Sequence, residues 1–180
     1  MLQIKIPAIE LWDEEKQMFI NEAECILNLE HSLVSISKWE AKWHKVFLSK
    51  SDKTEEETLD YIKCMTLSKN VDPEIYSRLS RENISQINDY INDSRTATYF
   101  SEDKKQGTSR EPMTSELIYY WMVTLNIPFE CQKWHLNRLI TLIKVCDRKN
   151  SPPKKMGERK LMSRNAALNA ARRKKFNTKG

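Results

Sequence analysis

The side chains best suited to nucleophilic, acid–base or metal chemistry in this 180-residue sequence are three histidines, His31, His44 and His135, and four cysteines, Cys25, Cys64, Cys131 and Cys146. One pair has a useful spacing. Cys131 and His135 stand four residues apart, so on a helix they would share a face and could share a metal ion. A structural zinc needs four such ligands, and the other cysteines and histidines show no paired spacing that completes the set. The simpler reading puts Cys131 at a helix start and His135 toward solvent or a neighbouring polar group, so no metal or other cofactor is expected. No histidine belongs to a local Ser or Cys signature such as G-x-S-x-G. The acidic pairs Asp13-Glu14 and Glu55-Glu56 read as a solvated turn and a helix cap rather than as general acids. The three glycines, Gly107, Gly157 and Gly180, are too far apart to write either glycine-rich phosphate-binding fingerprint. A noncatalytic protein with reduced, buried thiols is therefore expected.

Two other residue classes could bind rather than react. Trp39, Trp43, Trp121 and Trp134 could offer faces for stacking bases. Trp39 and Trp43 are one helical turn apart, however, and Trp121 sits among Leu117, Met122 and Leu125, which is the spacing of core packing. Trp134 falls between an apolar stripe and a polar face and is kept as a candidate contact. Charge is the sharper signal. The net charge of +5 hides a partition: residues 1–150 carry 20 basic and 24 acidic side chains, whereas residues 151–180 carry 10 basic and one acidic. The run Arg172-Arg173-Lys174-Lys175 could neutralise phosphates with a steep salt dependence, dock on an acidic helical partner, or simply keep the chain in solution. Base-reading polar residues are few there, so any nucleic-acid binding is expected to be nonspecific.

The elements that must position these groups are legible from periodicity. Leu2, Ile4 and Ile6 alternate with Gln3 and Lys5, Gln17 to Ile20 can return past a charged turn at Asp13–Lys16, and Cys25, Leu27 and Leu29 alternate again. These predict a small antiparallel sheet within residues 2–30. Ser32 caps a helix carrying Leu33, Ile36, Trp39 (or Glu40), Trp43 and Phe47, ended by the lysine-rich stretch 49–53. Thr54 and Glu57 form a capping box for a helix burying Leu59, Ile62, Cys64 or Met65, and Leu67. Asp72-Pro73 starts a short helix around Ile75 and Leu79, and Ser80 or Glu82 leads into one with Ile84, Ile87 and Ile91. Residues 95–112 read as a loop with a short strand at 96–100. Thr114 or Ser115 caps a helix through Leu125, broken at Asn126-Ile127-Pro128. A further helix is expected from Phe129 or Glu130, with Leu136, Leu139, Ile140, Ile143 and Cys146 on one face.

The fold class that follows is α+β, mainly α: a small N-terminal antiparallel sheet, then a helical domain over 1–150, then a basic tail over 151–180 that becomes helical when docked. Pro152-Pro153 marks the boundary. The longest uncharged run, Leu117–Phe129, has 13 residues, short of the ~20 a membrane span needs. The first residues lack the order of a signal peptide, so a cytoplasmic location is expected.

Three stretches also carry a likeness: Leu29-Glu-His-Ser-Leu-Val-Ser-Ile-Ser-Lys-Trp-Glu-Ala-Lys-Trp, the helix pair from Glu116-Leu-Ile-Tyr-Tyr-Trp through Ile127-Pro-Phe-Glu and Trp134-His-Leu-Asn-Arg-Leu, and the ending Ser163-Arg-Asn-Ala-Ala-Leu-Asn-Ala-Ala-Arg-Arg-Lys-Lys. Together they resemble the tail assembly chaperone family of long-tailed bacteriophages of Gram-positive hosts, whose members coat the tape measure protein before the tail tube forms around it. The resemblance implies a noncatalytic, mostly helical protein of the host cytoplasm that associates with itself and with a helical client, the tape measure protein or another helical tail protein. It makes the stretch Pro128–Arg138, with Trp134 and Arg138, a packing or client-facing turn. It makes Arg164, Arg172, Arg173, Lys174 and Lys175 of the Ala-rich end a second contact region. A nucleic-acid-binding or structural virion protein is the alternative.

Overall fold

A computed structural model describes residues 1–13, 17–100, 111–151 and 158–178. The fold is α+β and mainly helical. It divides into two compact units, Met1–Asp147 and Arg148–Gly180.

The first unit opens with strands β1 (Leu2–Ile6), β2 (Ile9–Asp13), β3 (Met18–Glu22) and β4 (Cys25–Leu29). They form two nested antiparallel ribbons rather than the single sheet expected: β1 pairs only with β4, from Leu2↔Leu29 to Ile6↔Cys25, and β2 only with β3, from Ile9↔Glu22 to Asp13↔Met18. Alternation decides which ribbon joins the core. Ile4, Ile6, Leu27 and Leu29 are buried while Gln3 and Lys5 are exposed, the pattern of a ribbon with one wet face. Strand β2 was not foreseen, and the turn expected at Asp13–Lys16 falls mostly outside the described residues.

Helix α1 (Leu33–Trp43) starts at Ser32, whose side chain accepts the Ser35 N–H. It stops earlier than its apolar spacing suggests, because His44 takes a left-handed conformation with φ of 52° and donates its N–H back to the Glu40 carbonyl at 2.8 Å. Phe47 therefore packs from the following turn, edge-on to Trp39 with ring centroids 5.1 Å apart. The Thr54–Glu57 capping box opens α2 (Glu55–Met65), which buries Tyr61, Ile62 and Met65. Leu59 is half-buried, and Leu67, beyond the helix end at Thr66, is exposed. Two indoles join α1 to α2: Trp39 Nε1 donates to the Glu57 carbonyl at 2.9 Å and Trp43 Nε1 to Asp60 Oδ2 at 2.9 Å, with Lys42 and Lys45 pairing to the same two acids.

A 3-10 helix, Pro73–Arg78, capped by Asp72, precedes α3 (Arg81–Asn92), capped by Ser80 and burying Ile87 and Tyr90. No strand forms over 96–100. Helix α4 (Ser115–Thr124) is capped by Thr114 and buries Ile118 and Met122. Pro128 then starts a 3-10 helix, Phe129–Lys133, and Trp134 is extended, so α5 (Leu136–Asn150) begins later than expected. Pro128 helps to explain the delay, as its ring favours a tight first turn and an extended residue before it.

One acid ties these pieces together. Glu40 on α1 is 8% exposed, and its carboxylate accepts the Phe47 N–H through Oε1 and the Ser115 N–H through Oε2, both at 2.8 Å. It thus closes the turn after α1 and holds the first N–H of α4, where a helix start favours negative charge. Glu40→Ala strands both donors in the core, and each lost partner costs about 1–3 kcal/mol. Urea unfolding is expected to show a destabilisation of about 3 kcal/mol with unchanged m-value; a loss below about 0.5 kcal/mol would show the acid to be dispensable.

Candidate functional site

The histidines come first, because the fold brings two of them together from opposite halves of the first unit. The segment around Ser32 bridges antiparallel to His135, and Leu136 N–H donates to the His31 carbonyl at 2.7 Å. The His31 and His135 rings meet edge-on with centroids 5.1 Å apart, and both residues are buried. His31 Nδ1 is hydrogen-bonded to the Tyr61 hydroxyl. His135 Nε2 bonds the Tyr90 carbonyl at 2.9 Å and Nδ1 accepts the Asn137 N–H at 3.3 Å, which assigns the proton to Nε2. The Tyr90 hydroxyl donates to Glu30 Oε1 at 2.6 Å, and the Met1 ammonium pairs with Glu30 Oε2 at 2.7 Å.

Electrically this cluster is held neutral. Burial, with His135 alongside, lowers His31 to about 3, and burial also lowers His135. Burial pushes the Tyr61 and Tyr90 hydroxyls well above their usual range, and at Tyr90 the hydrogen bond donated to Glu30 adds to the shift. The imidazoles therefore spend their nitrogens on backbone and phenol contacts that lock the chain crossing. Cys131 and His135 do not share a helix, since the extended Trp134 lies between them and α5 begins after them. Among the described residues no group of three or more His, Cys, Asp or Glu is placed to hold a metal ion.

A more open feature lies between α4 and α5. Met113, Trp121, Thr124, Leu125, Ile140 and Ile143 line a largely apolar cleft of ≈ 380 Å³, with Lys144 and Asp147 also in its wall. Trp121, expected in the core, is half-buried and faces this cleft. The cleft was missed in the sequence; the signal was the surplus of apolar residues on α5, whose Ile140 and Cys146 are only half-buried.

The predicted contact residues fall in two places. Trp134 is half-buried and Arg138 exposed, and the Arg138 guanidinium lies 4.3 Å above the Trp134 ring, a cation–π contact that fixes both side chains. At about 100° per residue, Arg138 lies roughly opposite Ile140 and Ile143 around α5, so this pair and the cleft are separate surfaces. Arg164, Arg172, Arg173, Lys174 and Lys175 are all exposed on helix α6 (Glu158–Phe176) of the second unit. The four consecutive cations at 172–175 wind around that helix, and Lys175 sits 5.8 Å above the Phe176 ring. Leu161, Met162, Leu168 and Phe176 fall within about 120° of each other, but Asn165, Asn169 and Arg172 share that sector, so α6 has only a broken apolar stripe.

No family model, curated protein or solved structure matches this chain.

The buried imidazoles give a defined pH response. Unfolded, both titrate near 6.5, whereas folded His31 takes up a proton only near 3. Below pH ~6.5 the unfolded chain binds more protons, so stability is full above that pH and falls as pH drops, by about 1.4 kcal/mol per unit for His31 alone. Urea unfolding at pH 7, 5.5 and 4.5 is expected to follow this slope, and His31→Gln to flatten it by about one proton; an unchanged slope in that variant would remove His31 as its source.

Proposed function

We propose that this chain is a noncatalytic binding protein of phage tail morphogenesis, a tail assembly chaperone that holds the tape measure protein in the host cytoplasm until the tube forms. The observation that carries the reading is the pairing of an open apolar cleft on α4 and α5 with a fully exposed cationic helix, while the buried histidines are committed to structure. An extended helical client exposes apolar side chains that such a cleft can cover, and burying them contributes about 25 cal/mol per Å². The cations of α6 add attraction and speed the encounter, which makes the on-rate fall with salt. Trp134 and Arg138 offer a pre-ordered aromatic and guanidinium for a second contact.

The reading of α6 as a nucleic-acid grip is favoured by one feature, the winding of Arg172 to Lys175 around the helix, which suits phosphate neutralisation from several sides without base readout. In that alternative the protein is a structural component of the virion. No helix among the described residues is long and apolar enough to cross a membrane.

Co-expression with the tape measure protein of the same genome, followed by nuclease treatment and affinity purification, is expected to yield a soluble complex. Ile140→Asp in the cleft wall is expected to weaken it at least about tenfold, and a chain ending at Asn150 to lose the salt-sensitive part of the on-rate. Absence of a complex, with stoichiometric recovery of the protein in purified virions, would favour the structural reading instead.

A further inference from the structure

Lys53 is half-buried, whereas every other lysine whose exposure is described is exposed. Lys42 and Lys45 on neighbouring turns pair with Asp60 and Glu57. Lys53 has no ion pair among the described residues, because Glu57, the acid nearest in sequence on α2, is committed through Oε1 to Lys45 and through Oε2 to the Thr54 N–H. Its ammonium lies instead against two aromatic faces, 4.5 Å from the ring centroid of Phe47 and 6.0 Å from that of Trp39. Both rings are buried, and Phe47 is held in turn by Tyr61, with centroids 4.0 Å apart.

Two features of this setting work against a primary ammonium. A lysine ammonium is a strongly hydrated point charge, and half-burial strips part of its water. It also stands directly before Thr54, the N-cap of α2, where the helix dipole disfavours positive charge. Burial accordingly lowers the Lys53 pKa, against the Glu57 charge, which raises it. An N-methylated ammonium keeps the charge but binds water less, and aromatic faces are well suited to hold such a cation.

We propose that Lys53 is a site of N-methylation, with Phe47 and Trp39 as the ring faces that receive the methylated ammonium. The methyl group comes from a sulfonium donor. The neutral amine attacks the methyl carbon, the carbon–sulfur bond breaks with its electrons kept by sulfur as a thioether, and the amine proton leaves to water. The site is reachable, since Ser51, Asp52, Thr54 and Glu55 around it are exposed. Acylation of the same amine removes the charge and with it the attraction to the rings, so the niche suits methyl rather than acetyl. The inference concerns only the turn between α1 and α2 and is independent of the tail-assembly reading.

Reductive methylation of the full chain at neutral pH, with limiting isotope-labelled formaldehyde and a borane reductant, tests it. In this probe reaction amine and formaldehyde lose water to an imine, which hydride reduces to the N-methyl amine. Peptide mass spectrometry is expected to show Lys53 methylated at least about threefold faster than exposed lysines such as Lys50 and Lys69. In NMR spectra its methyl signal should lie upfield of the others, shifted by the ring currents of Phe47 and Trp39. Phe47→Leu, which keeps an apolar side chain in the core, should return that signal to the position of an exposed lysine. Should that variant fail to fold, Lys53→Arg identifies the shifted signal by its loss. Labelling of Lys53 at the rate of the exposed lysines, or a Lys53 methyl signal at their position, overturns the inference.

Discussion

A carboxylate in a protein interior must be surrounded by donors, and Glu40 meets that requirement with backbone N–H groups from two other places in the chain. Its oxygens hold the turn at Phe47 and the first N–H of α4. Those bonds hold the turn that brings Phe47 to Trp39 and the start of α4 against α1. Polar satisfaction in a low dielectric is demanding, because an unpaired member costs more than a formed bond returns. The surrounding apolar core, from Leu33 and Ile36 to Ile118 and Leu139, packs around this fixed geometry. The two indole N–H bonds from α1 to α2 extend the same logic to the next helix pair.

The histidine crossing is a second constraint of the same type. An imidazole excluded from water is cheapest as the neutral species, and here its acceptor and donor atoms are matched to a hydroxyl and to backbone groups. His31 and His135, two of the residues that looked most reactive in the sequence, are thus absorbed into architecture, joining β4 and α1 to the start of α5. What the described residues leave open is different in kind: an apolar cleft, a guanidinium stacked on an indole, and a cationic helix. These are surfaces for association, which is why binding is the function proposed.

Charge separation gives those surfaces a direction. With the negative excess confined in sequence to residues 9–22 and the positive excess to the last thirty residues, both interact most strongly at low ionic strength, over distances of about one Debye length. Apolar contact at the cleft is far less sensitive to salt. The two kinds of contact can therefore be separated by ionic strength alone.

Much of the fold was legible in the sequence where its cause is local. Ser32, Thr54 with Glu57, and Ser80 bond N–H groups three residues away, so a few letters determine those helix starts. The alternation of Leu2–Ile6 and Cys25–Leu29 marked the strands, and the partition of charge between body and tail needs no structure at all. The tertiary structure alone decided the rest. Glu40 reaches a donor 75 residues away and His135 an acceptor 45 residues away, and no periodicity records such a pairing. The same holds for the split into two ribbons, the late start of α5, the placement of Trp121 in a cleft wall and the seating of Arg138 on Trp134. Local bonds are written by neighbouring residues, whereas burial and distant polar pairing depend on which surfaces meet once the chain has closed on itself.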